Sequence, residues 1–206
     1  MIEPSSRAAQ LALLTALVGL VVGGAALWLG VAEGAIALWG FGAAGLLQVP
    51  PSLSLRSRIR AGLGNSGLER ERLTLRAVSF LLRLLALGMA MAAVSALLGD
   101  RAPRANFIAL GLSALAVGLL AALWSAKRRL KGAHPTFDLD AARCLILLEL
   151  AALLLAGSLL GRWFTWADAA SALAMALWLF VAGRTLAKAT SLPAAASGCG
   201  GSCSCG

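Results

Sequence analysis

The sequence predicts an all-α protein that crosses a membrane six times, and two observations lead to this prediction. Hydrophobic residues make up 60% of the 206 positions and charged residues only 13%, which is more apolar side chain than a soluble domain can bury. Apolar stretches of about 20 residues, the length of a helix that crosses a bilayer, follow one another along nearly the whole chain. The composition therefore disfavours a soluble enzyme, a disulfide scaffold and a disordered protein.

Six apolar stretches have this length. Leucine and alanine, which favour helix, fill them, and none alternates polar and apolar residues as outer-membrane strands do. The first stretch follows Arg7 as a signal peptide would, but it is about twice the usual length of a cleavable core and leads directly into the second, so we expect a retained helix. Six crossings return the chain to the side on which it begins. The predicted spans are residues 8–30, 34–53, 77–98, 105–126, 141–161 and 167–187.

Lysine and arginine are distributed unequally between the two sides of the predicted bundle. Thirteen of the 18 lie in the amino-terminal segment, in the loops after the second and fourth spans, or at the carboxy-terminal end; three lie in the opposite loops, and Arg83 and Arg143 lie within spans. The positive-inside rule then places both termini in the cytoplasm, as in a bacterial-type inner membrane. Because the positive charge follows the topology, we attribute the net charge of +9 to contact with anionic lipid headgroups and not to binding of nucleic acid.

Polar side chains within a span are expensive unless they face the bundle interior, find a partner or line a pathway. Arg83 in the third span and Glu149 in the fifth lie at a similar depth, roughly 10 to 13 Å from the cytoplasmic edge. Two interpretations remain open: an ion pair between them, or an Arg83 that extends to the headgroups beside a neutral Glu149. The other polar residues within spans or at their ends are Gln48, Asp140, Arg143 and Asp168.

The second span is rich in small residues and ends at two prolines. Gly40, Gly42 and Gly45 allow close helix packing. Pro50 and Pro51 are expected to end or kink the helix because they cannot donate backbone hydrogen bonds. Close packing is the simpler interpretation, although glycine and proline also accompany solute sites in transporters.

Two motifs that could indicate an enzyme do not support one here. The glycines of residues 62–67 form a G-x-G-x-x-G pattern, but the pattern lies in a short arginine-rich loop and not between a strand and a helix. His134 is the only histidine, which excludes a two-histidine zinc site and disfavours a Ser-His-Asp triad. We therefore predict that the protein is not an enzyme.

Four segments carry a resemblance to a known family. Residues 33–42 resemble the start of the family's second helix, 67–73 the loop before its third, 125–130 the loop after its fourth, and 166–172 the start of its sixth. In this order and spacing they resemble the cation diffusion facilitators, or cation efflux transporters, over roughly residues 8–190. The resemblance is especially to short bacterial members that lack the cytoplasmic carboxy-terminal domain. It implies six helices with both ends inside, a heavy-metal cation as substrate, and a homodimer.

The resemblance also implies where the transported ion would bind. In the family, carboxylate or histidine ligands four residues apart on the second and fifth helices hold a divalent cation. Those positions fall here on Ala44 and Gln48 in the second span and on Arg143 and Leu147 in the fifth. Alanine and leucine offer no lone pair, and a guanidinium repels a cation, so only Gln48 could coordinate. The family's proton-coupled zinc mechanism therefore does not transfer to these degenerate positions.

A second candidate metal site lies in the tail. Residues 191–206 follow the six-helix domain of residues 1–190 as a flexible segment rich in glycine, serine and cysteine, with Cys199, Cys203 and Cys205 close together. In the cytoplasm these thiols are expected to be reduced, and they suit a soft ion such as Cu(I), Zn(II) or Hg(II). Incidental cysteines in a disordered tail, or lipidation, are the alternatives. Cys144, within the fifth span, is expected to be a packing residue.

These observations lead to two hypotheses about function. The first is a divalent or heavy-metal cation efflux transporter whose tail thiols load or sense the ion. The second is a non-transporting accessory or metal-sensing membrane protein that has kept the fold and lost the transport site.

Reporter enzymes fused after Gly206 or at Gly132 are expected to be active if they work in the cytoplasm and inactive if they need the periplasm. The reason is that the charge asymmetry places both positions inside. Activity of a periplasmic reporter at either position would contradict the orientation, and with it the expectation that the tail thiols are reduced.

Overall fold

The structure is a computed structural model that describes residues 4–61, 68–99, 107–129 and 135–191. Those residues form helices and no strand, so the predicted all-α fold is confirmed. The tail cysteines Cys199, Cys203 and Cys205, the glycine pattern of residues 62–67 and His134 lie outside the described residues. The helices are α1 (Pro4–Glu33), α2 (Ile36–Leu47), α3 (Val49–Arg60), α4 (Leu68–Leu98), α5 (Phe107–Arg128), α6 (Pro135–Leu160) and α7 (Ala167–Ser191).

These helices provide six segments that are long and apolar enough to cross a membrane, which confirms the predicted number of spans. Helices α2 and α3 together form the second span, and each of the other helices forms one. The surface of the bundle is apolar, as contact with lipid requires, and many of its large hydrophobic side chains are exposed. The spans are Arg7–Glu33, Ile36–Arg60, Glu69–Leu98, Phe107–Arg128, Phe137–Leu160 and Ala167–Lys188.

Two helices are longer than the apolar stretches that predicted them. The second span, predicted to end at Leu53, continues as helix to Arg60, and the third, predicted from Ala77, begins at Leu68. All six arginines assigned to the loop between these spans therefore lie in the end turns of the two helices. The reason is that hydropathy detects the membrane-crossing part of a helix and does not detect polar turns that continue it.

The second span is interrupted at Gln48. This residue has φ −84° and ψ −11°, and its amide donates to Gly45 O at 3.1 Å, a tighter turn than an α-helix makes. Pro50 and Pro51 follow within the first turn of α3, where the missing amide protons need no partner. The prolines therefore begin a new helix, and the side chain of Gln48 lies at the break between the two.

Helices α1 and α2 approach each other closely because glycines face each other across the interface. A Cβ added at Gly42 would overlap the backbone nitrogen of Leu27, and one added at Gly30 would overlap the backbone nitrogen of Trp39. Gly23 and Gly45 lie in the same interface. Small residues of this kind let two membrane helices contact along their backbones.

The amino-terminal end of α2 is capped by a residue from the other end of the chain. Ala35, at the N-cap position, has no side chain that can accept a hydrogen bond. Asp168, in the first turn of α7, accepts one instead: the amide of Ile36 donates to Asp168 Oδ2 at 2.9 Å. The negative charge of the carboxylate also interacts favourably with the positive, amino-terminal end of the α2 dipole. This contact joins the second and last spans at the end of the bundle opposite the basic loops.

The structure predicts that Gly42→Ala destabilises the protein by about 1 to 3 kcal/mol, because the added methyl group overlaps backbone that cannot move without separating α1 from α2. Thermal unfolding in detergent would measure the loss. Gly88→Ala is the matched control: it also lies in a membrane helix, and nothing lies within 4 Å of its added Cβ, so it should lose no stability. Equal stability of the two variants would contradict the close α1–α2 contact.

Candidate functional site

Buried polar residues concentrate at one end of the bundle. This end, which we call the basic end, contains the beginnings of α1, α4 and α6 and the ends of α3, α5 and α7. Six side chains there form three contacting pairs between helices, and we call them the polar cluster. They are Gln48 with Arg143, Lys127 with Asp140, and Arg58 with Glu71.

The deepest pair of the polar cluster joins the helix break to α6. Arg143 Nε and Nη2 donate to the same oxygen, Gln48 Oε1, at 2.9 and 2.7 Å. Gln48 is 3% exposed and Arg143 5% exposed. Arg143 lies eight residues into α6, roughly 12 Å along its axis. Burying a guanidinium at this depth costs free energy unless its N–H groups find acceptors. The amide oxygen of Gln48 accepts hydrogen bonds from two of them.

The four positions at which the family resemblance placed a transport site meet in the structure as follows. Gln48 and Arg143, predicted from different spans, are in direct contact. Ala44 and Leu147 are buried in one hydrophobic cluster that the same two helices help to form. The second and fifth spans therefore face each other at this level of the bundle.

The residues at these four positions do not suit a divalent cation. The one oxygen among their side chains, Gln48 Oε1, already accepts two hydrogen bonds from a cation. Within the described residues, no three histidine, cysteine, aspartate or glutamate side chains lie close enough to hold a metal ion. Chemically, the arrangement holds a fixed positive charge in the bundle and does not provide a coordination shell.

The second pair of the polar cluster joins α5 to α6. Lys127 Nζ lies 2.6 Å from Asp140 Oδ2, and the side chain of Lys127 is 4% exposed. The contact is an ion pair, and Nζ has no hydrogen-bond partner among the described residues. A cavity of about 10 Å³, lined in part by Ala8, Leu11 and Phe137, adjoins this pair. It has room for about one water molecule, which could complete the hydrogen bonding of the ammonium group.

The third pair joins α3 to α4. Arg58 Nη1 donates to Glu71 Oε2 at 2.5 Å, and both side chains are largely buried. The carboxylates of Glu71 and Asp140 also attract the guanidinium of Arg143. The polar cluster thus holds three cations and two carboxylates. Each carboxylate attracts Arg143 as well as the cation with which it is paired. Its contacts connect α3, α4, α5 and α6 at the basic end, together with the break that begins α3.

Arg83 and Glu149, for which two interpretations were open, do not pair in the structure. Arg83 Nε donates to Ser79 O of its own helix at 3.1 Å, one turn closer to the basic end. Neither residue takes part in the ion pairs that join Arg58 to Glu71 and Lys127 to Asp140. The direction of Arg83 agrees with a side chain that extends toward the headgroups.

Sequence reasoning placed Gln48 and Arg143 at one site without predicting their contact, and it missed the other two pairs of the polar cluster. It counted Lys127 and Arg58 as loop residues, whereas both lie in the last turn of a helix, facing the next helix along the chain. The available signal was the spacing: in each pair, opposite charges 13 residues apart flank a short connection between antiparallel helices. Cys144 is buried, with Sγ 3.9 Å from Leu120 O, in agreement with its expected packing role.

Comparison of the chain with known protein families found no match, and comparison with curated proteins found none at a significant level. The fold and the polar cluster define the class of the protein: it is a multi-pass α-helical membrane protein whose interior charges lie near one end of the bundle.

Replacing Gln48 by leucine is predicted to destabilise the protein by about 1.5 to 3 kcal/mol, because the buried Arg143 guanidinium loses the acceptor of two hydrogen bonds. Adding Arg143→Met should restore much of the loss, since no charge then remains unpaired. Thermal unfolding in detergent would report both effects. Gln10→Leu makes the same replacement at an exposed position and should change little. A double variant that loses as much stability as the two single variants added together would contradict the coupling between Gln48 and Arg143.

Proposed function

We propose that the protein is a membrane-embedded metal-capturing protein, an accessory or sensor with a cation-efflux-like bundle that does not itself hold the ion. In this proposal, Cys199, Cys203 and Cys205 capture a soft cation such as Zn(II), Cu(I) or Hg(II). The observation that supports it is the double hydrogen bond from Arg143 to Gln48. The chain would act in an inner membrane, with its tail in the cytoplasm, as a homodimer if it assembles as the resemblance implies.

Electrostatics argues against a divalent cation at the degenerate positions. A doubly charged ion about 4 Å from a guanidinium is repelled by roughly 8 kcal/mol at an effective dielectric constant of 20. Arginine keeps its proton in proteins, so the guanidinium cannot relieve this repulsion by deprotonation. The guanidinium of Arg143 therefore takes the role that a bound cation would have: it supplies the positive charge that Asp140 and Glu71 attract.

The chemistry of the tail complements a bundle without a metal site. Thiolates prefer soft ions, and a segment of glycine and serine imposes little steric limit on how three sulfur atoms surround one. The cytoplasm keeps thiols reduced, so the tail would be available for binding.

One observation favours cation efflux as a second candidate. The second span is interrupted at Gln48, and interrupted helices often form solute sites in transporters. Transport by this route would require Arg143 to leave Gln48 during the cycle, since Gln48 Oε1 is not available to a cation while it accepts both hydrogen bonds.

Replacing Cys199, Cys203 and Cys205 together by serine is predicted to abolish binding of Zn(II), measured by calorimetry on the purified protein at neutral pH. Binding by the parent should release protons and weaken as the pH falls, because only thiolates coordinate. Mg(II) and Ca(II), which prefer oxygen ligands, should not compete.

The matched control is Cys144→Ser, which removes the buried thiol of α6 and should leave zinc binding unchanged. Zinc binding by the triple variant as tight as by the parent would contradict a role for the tail. If the triple variant also carried zinc into inverted membrane vesicles, the second candidate function would replace the first.

A further inference from the structure

The pair of helices with the most extensive contact, α4 and α7, has arginine side chains along its outer edge. The two helices are antiparallel, and Gly183 of α7 packs against α4. A Cβ added at Gly183 would lie 2.9 Å from Arg83 Cγ and 3.0 Å from Ser79 O. The aliphatic part of Arg83 therefore lies directly on the backbone of α7. Arg184 follows Gly183, so the two arginines are at the same level of the bundle.

Helix geometry places further residues on the same side of this contact. On α4, Arg76 lies seven residues before Arg83 and thus within about 20° of it around the helix, with Phe80 between them. On α7, Arg184 lies over the ring of Phe180, with 6.0 Å between Cζ and the ring centroid. Arg76, Phe80 and Arg184 are exposed, so both rows border the outer side of the contact, although Phe180 also packs against the core. We call these five residues the α4–α7 groove.

The arginines of the groove have no carboxylate partner in the described part of the chain. Glu71 and Asp140 pair with Arg58 and Lys127 of the polar cluster. Asp168, the one acidic residue on α7, lies at the opposite end of the bundle and accepts from Ile36. Arg83 lies about 10 Å further into the membrane than Arg76. A guanidinium at that depth needs an anion or water, and the surrounding surface is apolar.

We propose that the α4–α7 groove binds an anionic phospholipid from the leaflet at the basic end. Arg83 and Arg184 would hold its phosphate, since a planar guanidinium matches two phosphate oxygens, and Arg76 would lie nearer the rest of the headgroup. The apolar surface continues from the groove toward the middle of the membrane, where acyl chains would lie. Its exposed side chains there include Leu84, Leu87 and Leu177.

The charge of the groove favours this occupant over a second copy of the chain. A second copy that used the same face would bring a second set of arginines to the first, with no carboxylate from either groove to separate them. A phospholipid with a net negative charge supplies both the missing anion and the apolar chains. Phosphatidylcholine supplies the chains and a phosphate whose charge its own choline balances.

The test uses the full chain purified in detergent, with phosphatidylglycerol or phosphatidylcholine of identical acyl chains added, and native mass spectrometry as the measure of bound lipid. The parent should bind phosphatidylglycerol about tenfold more tightly, a difference that loss of one charge-assisted contact can account for. The double variant Arg83→Gln and Arg184→Gln should bind both lipids equally. Arg128→Gln, at an exposed arginine of the same end that lies over Trp124, should behave as the parent.

Two results would overturn the proposal: equal binding of the two lipids by the parent, or unchanged selectivity in the double variant. If the double variant does not fold, a photoreactive phosphatidylglycerol can be used with the parent. It should label residues near 80–87 and 177–184 above all other segments. Uniform labelling, or a cross-link between two copies of the chain across this groove, would also overturn the proposal.

Discussion

The structure depends on one constraint: a charge inside a membrane bundle must find hydrogen-bond or ion-pair partners within the bundle. This chain meets the constraint by placing its buried charges together near one end, where Arg143 bonds to Gln48 and shares the carboxylates of Asp140 and Glu71 with Lys127 and Arg58. The other features of this region follow from that arrangement. The break in the second span presents Gln48 to α6, and helices extend beyond their apolar segments to carry the paired charges.

A fixed interior cation has a different physical role from a mobile one. A transported ion must bind weakly enough to leave, so its ligands face a path and exchange with water. Arg143 is covalently held, buried and bonded to an uncharged partner, and it can stabilise the bundle permanently. A bundle of this kind is suited to anchoring a ligand-binding segment at a membrane, where the cation is recognised by groups outside the lipid. This separation of anchor from ligand site is the physical basis of the proposed function.

Much of the fold could be predicted because apolar length alone determines a membrane span. The six spans and the absence of strands in the described residues follow from it. The contact between Gln48 and Arg143 could be anticipated through the family resemblance, which aligned both residues to one site. The pairs of Lys127 with Asp140 and of Arg58 with Glu71 were missed, because hydropathy assigns charged helix ends to loops and the 13-residue spacing of opposite charges was not used. Their pairing depends on how far each helix extends and on which face it turns inward.

The cap that Asp168 provides for α2 has a consequence for how the protein is made. The two residues that form it, Ile36 and Asp168, are 132 positions apart. At about 5 to 20 residues per second, a ribosome completes that interval in roughly 7 to 26 s. During this time the second span is in place while the amides at its amino-terminal end lack their protein acceptor. Insertion of the last span then supplies it, so this end of the bundle cannot be completed until the last span has been synthesised.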